Sequence, residues 1–180
     1  MTSAQVTRAG INRQHLKLLA DKGLLERSER GVYIIPTNCD DEMFNLQSRY
    51  KRGIFSHETA LFLLDLSGRM PISNFMTFPL NYNTSILEKE NVKYYRVKEE
   101  LHKLGVIAGK SPGGNEIRLY NAERTLCEIL KGRSGTDMQI VAEAFKRYAR
   151  LENTDIPLLA EYAGLFRVEK KLRQYLEVLL

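Results

Sequence analysis

The sequence predicts an α+β protein: an N-terminal winged helix-turn-helix, with its first helix missing or replaced, followed by a mixed α/β C-terminal domain ending in several helices. Three observations predict it. A helix, turn, helix, hairpin order is compressed into residues 1–36. Strand-like runs flank helix-like segments through the middle of the chain. From Ala122 onward the apolar spacing is helical.

Taken in order, Thr2 or Ser3 caps a short helix through about Arg8, because either hydroxyl accepts from the unpaired amides of a first turn. Gly10 permits a sharp turn into a second helix. Asn12 is an N-cap for that helix, Ile11 is placed to pack on Leu16 as a hydrophobic staple, and Gly23 supplies a left-handed stop, which brackets a helix over Arg13 to Lys22. At 100° per residue Leu16 and Leu19 share one side with Ala20 at its edge, and Arg13, Gln14, Lys17 and Asp21 share the other. Leu18 falls near the polar side and is expected to be covered by the hairpin. Leu24–Arg27 and Val32–Ile35 read as strands around Ser28-Glu29-Arg30-Gly31, where Gly31 takes the positive φ of the turn, and Pro36 ends the second strand.

A complete winged helix-turn-helix has another helix ahead of these two, and only Met1 to Ser3 precede them here. Either the start is truncated or another segment fills that place. The domains are therefore set at 1–36 for the winged module and 45–180 for the C-terminal domain, with Asn38-Cys39-Asp40-Asp41 as a linker or turn. In the second domain Ser56 caps a helix carrying Ala60, Leu61, Leu63 and Leu64. Asn74–Phe78 and Lys93–Val97 read as strands, and Gly105–Ala108 with Glu116–Tyr120 as a hairpin around Ser111-Pro112-Gly113-Gly114. Met138, Val141, Phe145 and Tyr148 form one helical stripe; Leu172, Tyr175, Leu176 and Leu179 form another, and both read as core.

The 180 residues, 43% apolar, suffice for one good core or for a small module beside a medium-sized domain. No apolar run is long enough to span a bilayer and the N-terminus lacks the apolar stretch of a secretory signal, so the expected location is cytoplasmic, with no membrane partner. Cys39 and Cys127 match no metal-ligand spacing and read as reduced thiols; no metal and no cofactor are expected. The net charge is +5, and its placement is informative. Residues 1–36 carry six basic side chains (Arg8, Arg13, Lys17, Lys22, Arg27, Arg30) against three acidic ones (Asp21, Glu26, Glu29). The other 144 residues carry 21 against 19, so basicity concentrates at the N-terminal end, as in a small nucleic-acid reader attached to another domain.

Groove geometry explains the arrangement. A recognition helix offers its N-terminal side chains to base edges while neighbouring elements hold phosphates. The DNA-binding set is Thr2, Ser3, Asn12, Arg13, Gln14 and Lys17 around the helices, with Arg27 and Arg30 on the wing. Arginine and glutamine each make two hydrogen bonds to guanine and adenine edges, worth about 1–3 kcal/mol of discrimination per pair. The alternative is an αα-hairpin plus β-hairpin used for protein contact, its charged face merely solvated.

Catalytic patterns are incomplete. His57-Glu58 begins a zinc-protease helix, but Leu61 stands where its second histidine belongs, and Gly109-Lys110-Ser111 imitates the tail of a phosphate loop with Gly105 one residue too close. The three histidines lie in separate segments without a nucleophile motif. Glu123-Arg124 with Asp137 is placed to form a buried ion pair or a small polar site. The protein is therefore expected not to be an enzyme.

The blocks GINRQHLKLLADKGLLERSERGVYIIP, RYKRGIFSHETALFLLDLSGRMP, NAERTLCEIL and EYAGLFRVEKKLRQYLEVLL, in this order, resemble the AbiEi antitoxins of bacterial abortive-infection systems. The resemblance implies a winged helix-turn-helix that represses its own operon at inverted-repeat DNA, and a C-terminal domain that neutralises a partner toxin, AbiEii, a nucleotidyltransferase-like protein. It implies a type IV antitoxin, active in phage defence without a stable toxin complex. The family's DNA-reading role falls on Arg13, Gln14, Lys17, Arg27 and Arg30. For antitoxicity the motif residues are Tyr50, Ser56, His57, Glu58, Glu123, Arg124 and Thr125, with no individual role attached. The alternative is an enzyme or a protein-binding module whose C-terminal domain reverses or blocks the toxin's activity directly, with the winged domain used for protein contact.

Overall fold

The computed structural model describes residues 2–22, 24–34, 41–87 and 89–179. The protein is mixed α and β and folds as two compact units, one reaching to Lys51 together with Lys110–Ile117, the other built from Arg52–Gly109 and the chain from Arg118 onward.

The first unit contains α1 (Ser3–Arg8), α2 (Gln14–Asp21), a hairpin of β1 (Glu26–Glu29) and β2 (Val32–Ile34), and α3 (Glu42–Arg49). Thr2 caps α1 in a reciprocal box: its hydroxyl accepts from Gln5 N, and Gln5 Oε1 accepts from Thr2 N. Gly10 turns the chain at φ +75°. The second helix begins one residue later than the sequence suggests, at Gln14 with Arg13 as cap, and Asn12 Oδ1 accepts from Gln14 N at 3.0 Å. Ile11 does not bury itself as a staple; it is 50% exposed, and its amide instead closes α1 on Val6 O. Val6, Leu16 and Leu25 form the small core, with Leu19, Ala20 and Tyr33 against it.

Leu18 is likewise 50% exposed rather than covered, because the hairpin packs through Tyr33 on the opposite, Leu16–Leu19 side of the helix. Strand β1 starts at Glu26, two residues after the predicted start: the amides of Leu24 and Leu25 both donate to Leu19 O at the end of α2 and are unavailable to a ladder. The hairpin pairs Arg27 with Tyr33 and Glu29 with Val32 across a bulge, and Gly31 turns it at φ +83°. Gly23, Ile35, Pro36, Asn38, Cys39 and Asp40 lie outside the described residues. Asp41 belongs to no loose linker. It caps α3 through Phe44 N and accepts from Ser111 Oγ and from Asn115 Nδ2, the latter at 2.8 Å, in the turn between two later strands. A Cβ on Gly113 would stand 2.5 Å from Asp41 Oδ2, so the turn requires glycine there.

A five-stranded sheet, which belongs to the second unit apart from Lys110, Glu116 and Ile117, is built of β3 (Ile54–Phe55), β4 (Asn74–Pro79), β5 (Val92–Val97), β6 (Val106–Lys110) and β7 (Glu116–Tyr120) in the order β5-β4-β3-β7-β6. Strand β4 is parallel to β5 and antiparallel to β3, and β3 is parallel to β7. All six β4 residues are buried, consistent with a central strand covered on both faces. Around the sheet lie α4 (His57–Leu63) and α5 (Glu99–Lys103), followed by α6 (Ala122–Ile129), α7 (Met138–Tyr148), α8 (Ile156–Phe166) and α9 (Glu169–Leu179). Leu126, Phe145, Leu159, Phe166 and Leu172 join Leu61 and Leu66 in one core. Met138 is a departure from the expected stripe: at the first position of α7 it is 77% exposed, whereas Val141, Phe145 and Tyr148 face inward. Among the described residues no helix is long and apolar enough to cross a membrane.

Candidate nucleic-acid interface

The first unit assembles its candidate surface from three local devices. The first ties α1 to the wing: Thr2 bridges Val32, and Ser3 N donates to Gly31 O at 2.8 Å. Thr2 and Ser3 are thus half-buried structural ties as well as first-turn residues. The second device sits at the elbow between the helices. Thr7 Oγ1 donates to Ser3 O and accepts from Arg13 Nε at 2.8 Å, so the Arg13 guanidinium is braced on α1 while the residue stays exposed. The third is the polar side of α2. With Leu16 buried beneath, Gln14 and Lys17 are exposed at the helix start, where a helix N-terminus adds its positive end.

Arg27 and Arg30 are exposed on the wing, Arg27 on β1 and Arg30 beside the glycine turn. The unit therefore presents two cationic segments, α2's first turn and the wing, on a scaffold whose connections are fixed by backbone hydrogen bonds. The Thr7 brace on Arg13 is the component sequence reasoning missed; its only trace was a hydroxyl six residues before an arginine, across a glycine turn.

Residues 2–36 match the AbiEi antitoxin family. The matching model is described as a transcriptional regulator, AbiEi antitoxin, and its span runs from the capping threonine of α1 to just beyond β2. The AbiEi match thus coincides with the helix–turn–helix–wing and supports an antitoxin and regulator role. No curated protein matches the chain.

The residues singled out for antitoxicity lie outside the matched segment. Tyr50 ends α3 in the first unit, buried, with the Arg49 guanidinium 5.4 Å from its ring centre. The other six lie in the second unit, and all but Glu58 are buried. Ser56 occupies the N-cap of α4, as expected, but its side chain makes no cap bond; its hydroxyl accepts from Thr77 Oγ1 at 2.9 Å and lies 3.0 Å from His57 Nδ1. His57 holds φ +49°, stacks on Tyr95 at 3.8 Å and faces Glu128 Oε2 at 3.7 Å. Burial lowers its pKa against the opposing pull of Glu128. Glu58 is half-buried, and burial raises its carboxyl against the pull of Lys93.

Arg124 is fully buried. Its Nε and Nη2 donate to Glu128 Oε1 at 3.3 and 3.1 Å, its Nη1 donates to Leu101 O and Leu104 O, and its guanidinium lies 3.3 Å from the Tyr120 ring centre. Glu123 accepts from Tyr148 OH at 2.9 Å, and Thr125 donates to Asn121 O at 2.8 Å. The expected grouping of Glu123, Arg124 and Asp137 is therefore replaced: Arg124 pairs with Glu128, Glu123 serves Tyr148, and Asp137 caps α7 through Gln139 N. Adjacent helical residues diverge by about 100°, whereas residues four apart stack. Glu128, Thr77 and Tyr95 were missed by sequence reasoning; only Glu128 left a signal, its four-residue spacing from Arg124.

Proposed function

We propose that the protein is an antitoxin that represses its own operon, gripping inverted-repeat duplex DNA through the winged unit. The C-terminal unit counteracts a nucleotidyltransferase-like toxin without turnover and without a stable complex, in the cytoplasm. The observation that carries this reading is the coincidence of the AbiEi match with a winged segment whose Gln14, Lys17, Arg27 and Arg30 are all exposed. In this reading Gln14 and Lys17 enter the major groove, Arg13 fixes the angle of α2 while turning its outer nitrogens to the backbone, and the wing arginines hold phosphates.

The test is a mobility shift with the duplex from the chain's own upstream region. Binding should prefer that duplex, and log K should fall linearly with log salt, with a slope near −0.9 per phosphate contact. Gln14→Ala should narrow the gap between specific and random DNA; Arg30→Ala should weaken both alike. Equal affinity of the unaltered chain for every duplex would remove the repressor reading.

A second reading uses the winged unit for protein contact. Exposed Ile11, Leu18 and Leu24 favour it, since large apolar side chains at half exposure or more gain by being covered. It predicts co-elution with a toxin and little salt-sensitive DNA affinity.

A further inference from the structure

In the second unit a concavity of about 580 Å³ lies beside the C-terminal end of α8, with Leu130, Phe166 and Val168 as its apolar lining. Five cationic side chains line it as well: Lys131, Arg133, Arg167, Lys170 and Lys171. No acidic residue is among the lining residues, and none of the five forms an ion pair with a carboxylate among the described residues. Glu169, between Arg167 and Lys170 in sequence, directs its carboxylate toward Gly164 and does not line the concavity.

Two of these charges are held in place. Lys131 Nζ sits 4.6 Å from the centre of the Phe166 ring, a cation–π contact that fixes the ammonium at the edge of the apolar lining. Lys171 Nζ donates to Leu130 O at 2.8 Å, which uses one of its three N–H groups. Arg167 occupies the left-handed region at φ +57° as the C-cap of α8, a position glycine fills at lower cost. Burial also depresses the Lys131 ammonium, so the charged form gains from an incoming anion.

We propose that this concavity binds a compact polyphosphate, of the kind carried by a nucleoside triphosphate. Its volume lies in the range of small-ligand pockets. Five like charges around one recess repel each other, and a ligand with three or four negative charges on linked phosphates relieves that repulsion at once. The backbone of duplex DNA spreads its charge, about one per 1.7 Å of axis over both strands, along a convex surface. A triphosphate instead concentrates its charge at one place, beside all five cations, so duplex DNA is the disfavoured source of phosphate. No bond is made or broken in this binding.

The experiment is calorimetric titration of the full chain, at physiological salt, with ATP, with inorganic triphosphate and with a 20-base-pair duplex of random sequence. Saturable binding of ATP and triphosphate, each weakened at least tenfold by Arg167→Gly and by Lys170→Glu, is expected. Arg167→Gly should leave the melting temperature unchanged or raise it, because glycine suits this backbone, so lost binding cannot be assigned to unfolding. Absence of saturable ATP and triphosphate binding to the unaltered chain would overturn the proposal. So would affinities that the two variants leave intact, or displacement of ATP by the random duplex as effectively as by triphosphate.

Discussion

Arg124 enters the protein interior with its charge because Glu128, two backbone carbonyls and the Tyr120 ring receive it together. Among the described residues Glu128 Oε2 accepts no hydrogen bond, and His57 is its near neighbour. Removing the arginine alone therefore strands a buried carboxylate. Arg124→Met should cost about 3–5 kcal/mol, and adding Glu128→Leu should recover part of that loss, since a buried pair is worth far less than half of one is harmful. Urea midpoints of the single and double variants decide it; costs that simply add would show the two residues to be uncoupled. At the wing the sensitive residue is Gly31, held at φ +83° with a prospective Cβ 3.1 Å from Ser3 Oγ. Gly31→Ala should destabilise the first unit by about 1–2 kcal/mol, and an unchanged urea midpoint would contradict the strained turn. The sequence announced Gly31 through its place between two strands, but announced the wrong partner for Arg124, because adjacency in the chain is not adjacency on a helix.

At the scale of elements, α1 is six residues long and would not persist alone in water. It survives by its capping box and by its tie to the wing. Thr2→Ala should cost about 1 kcal/mol and speed hydrogen exchange at the Gln5 amide while leaving amides of α6 protected. Uniform acceleration throughout the chain would instead mean that the cap stabilises only global folding. The elements easiest to read were those with long runs between clear breakers: β4, β5, the β6–β7 hairpin and the helical character of the chain from Ala122, though not its division into four helices. The two-residue strand β3 was too short to show any periodicity, yet it sits at the centre of the sheet. Sheet order and the parallel β3–β7 pairing come from contacts between distant segments and have no local signature. The start of β1 was misplaced for a different reason, the competing demand of the Leu19 carbonyl in α2 for the amides of Leu24 and Leu25.

For the molecule as a whole, the buried histidines set an acid limit. Burial lowers the pKa of both His57 and His102 below the ordinary value of 6.5; Glu128 opposes this at His57, and the Arg52 carbonyl at His102. Below that value the unfolded chain binds protons the folded chain refuses, so stability falls as pH drops through 6.5 and is fully present above it. Urea midpoints at pH 7.5 and 5.5 should show the loss, and His57→Gln should reduce its size; a midpoint that climbs on acidification would refute the assignment. Cys127 is sealed in the same interior, its thiol pushed up to about 12, chiefly by burial. In a Cys39→Ser background it should react with a thiol reagent only as fast as the fold opens. The anchoring of Asp41 by Ser111 and Asn115 has a temporal meaning as well. On a ribosome the winged end is made first, but the turn that secures its third helix emerges only with residues 110–117. A nascent chain must therefore synthesise residues 52–109 before the earlier-made portion can be completed, and a fragment ending at Lys51 would lack the turn that anchors Asp41.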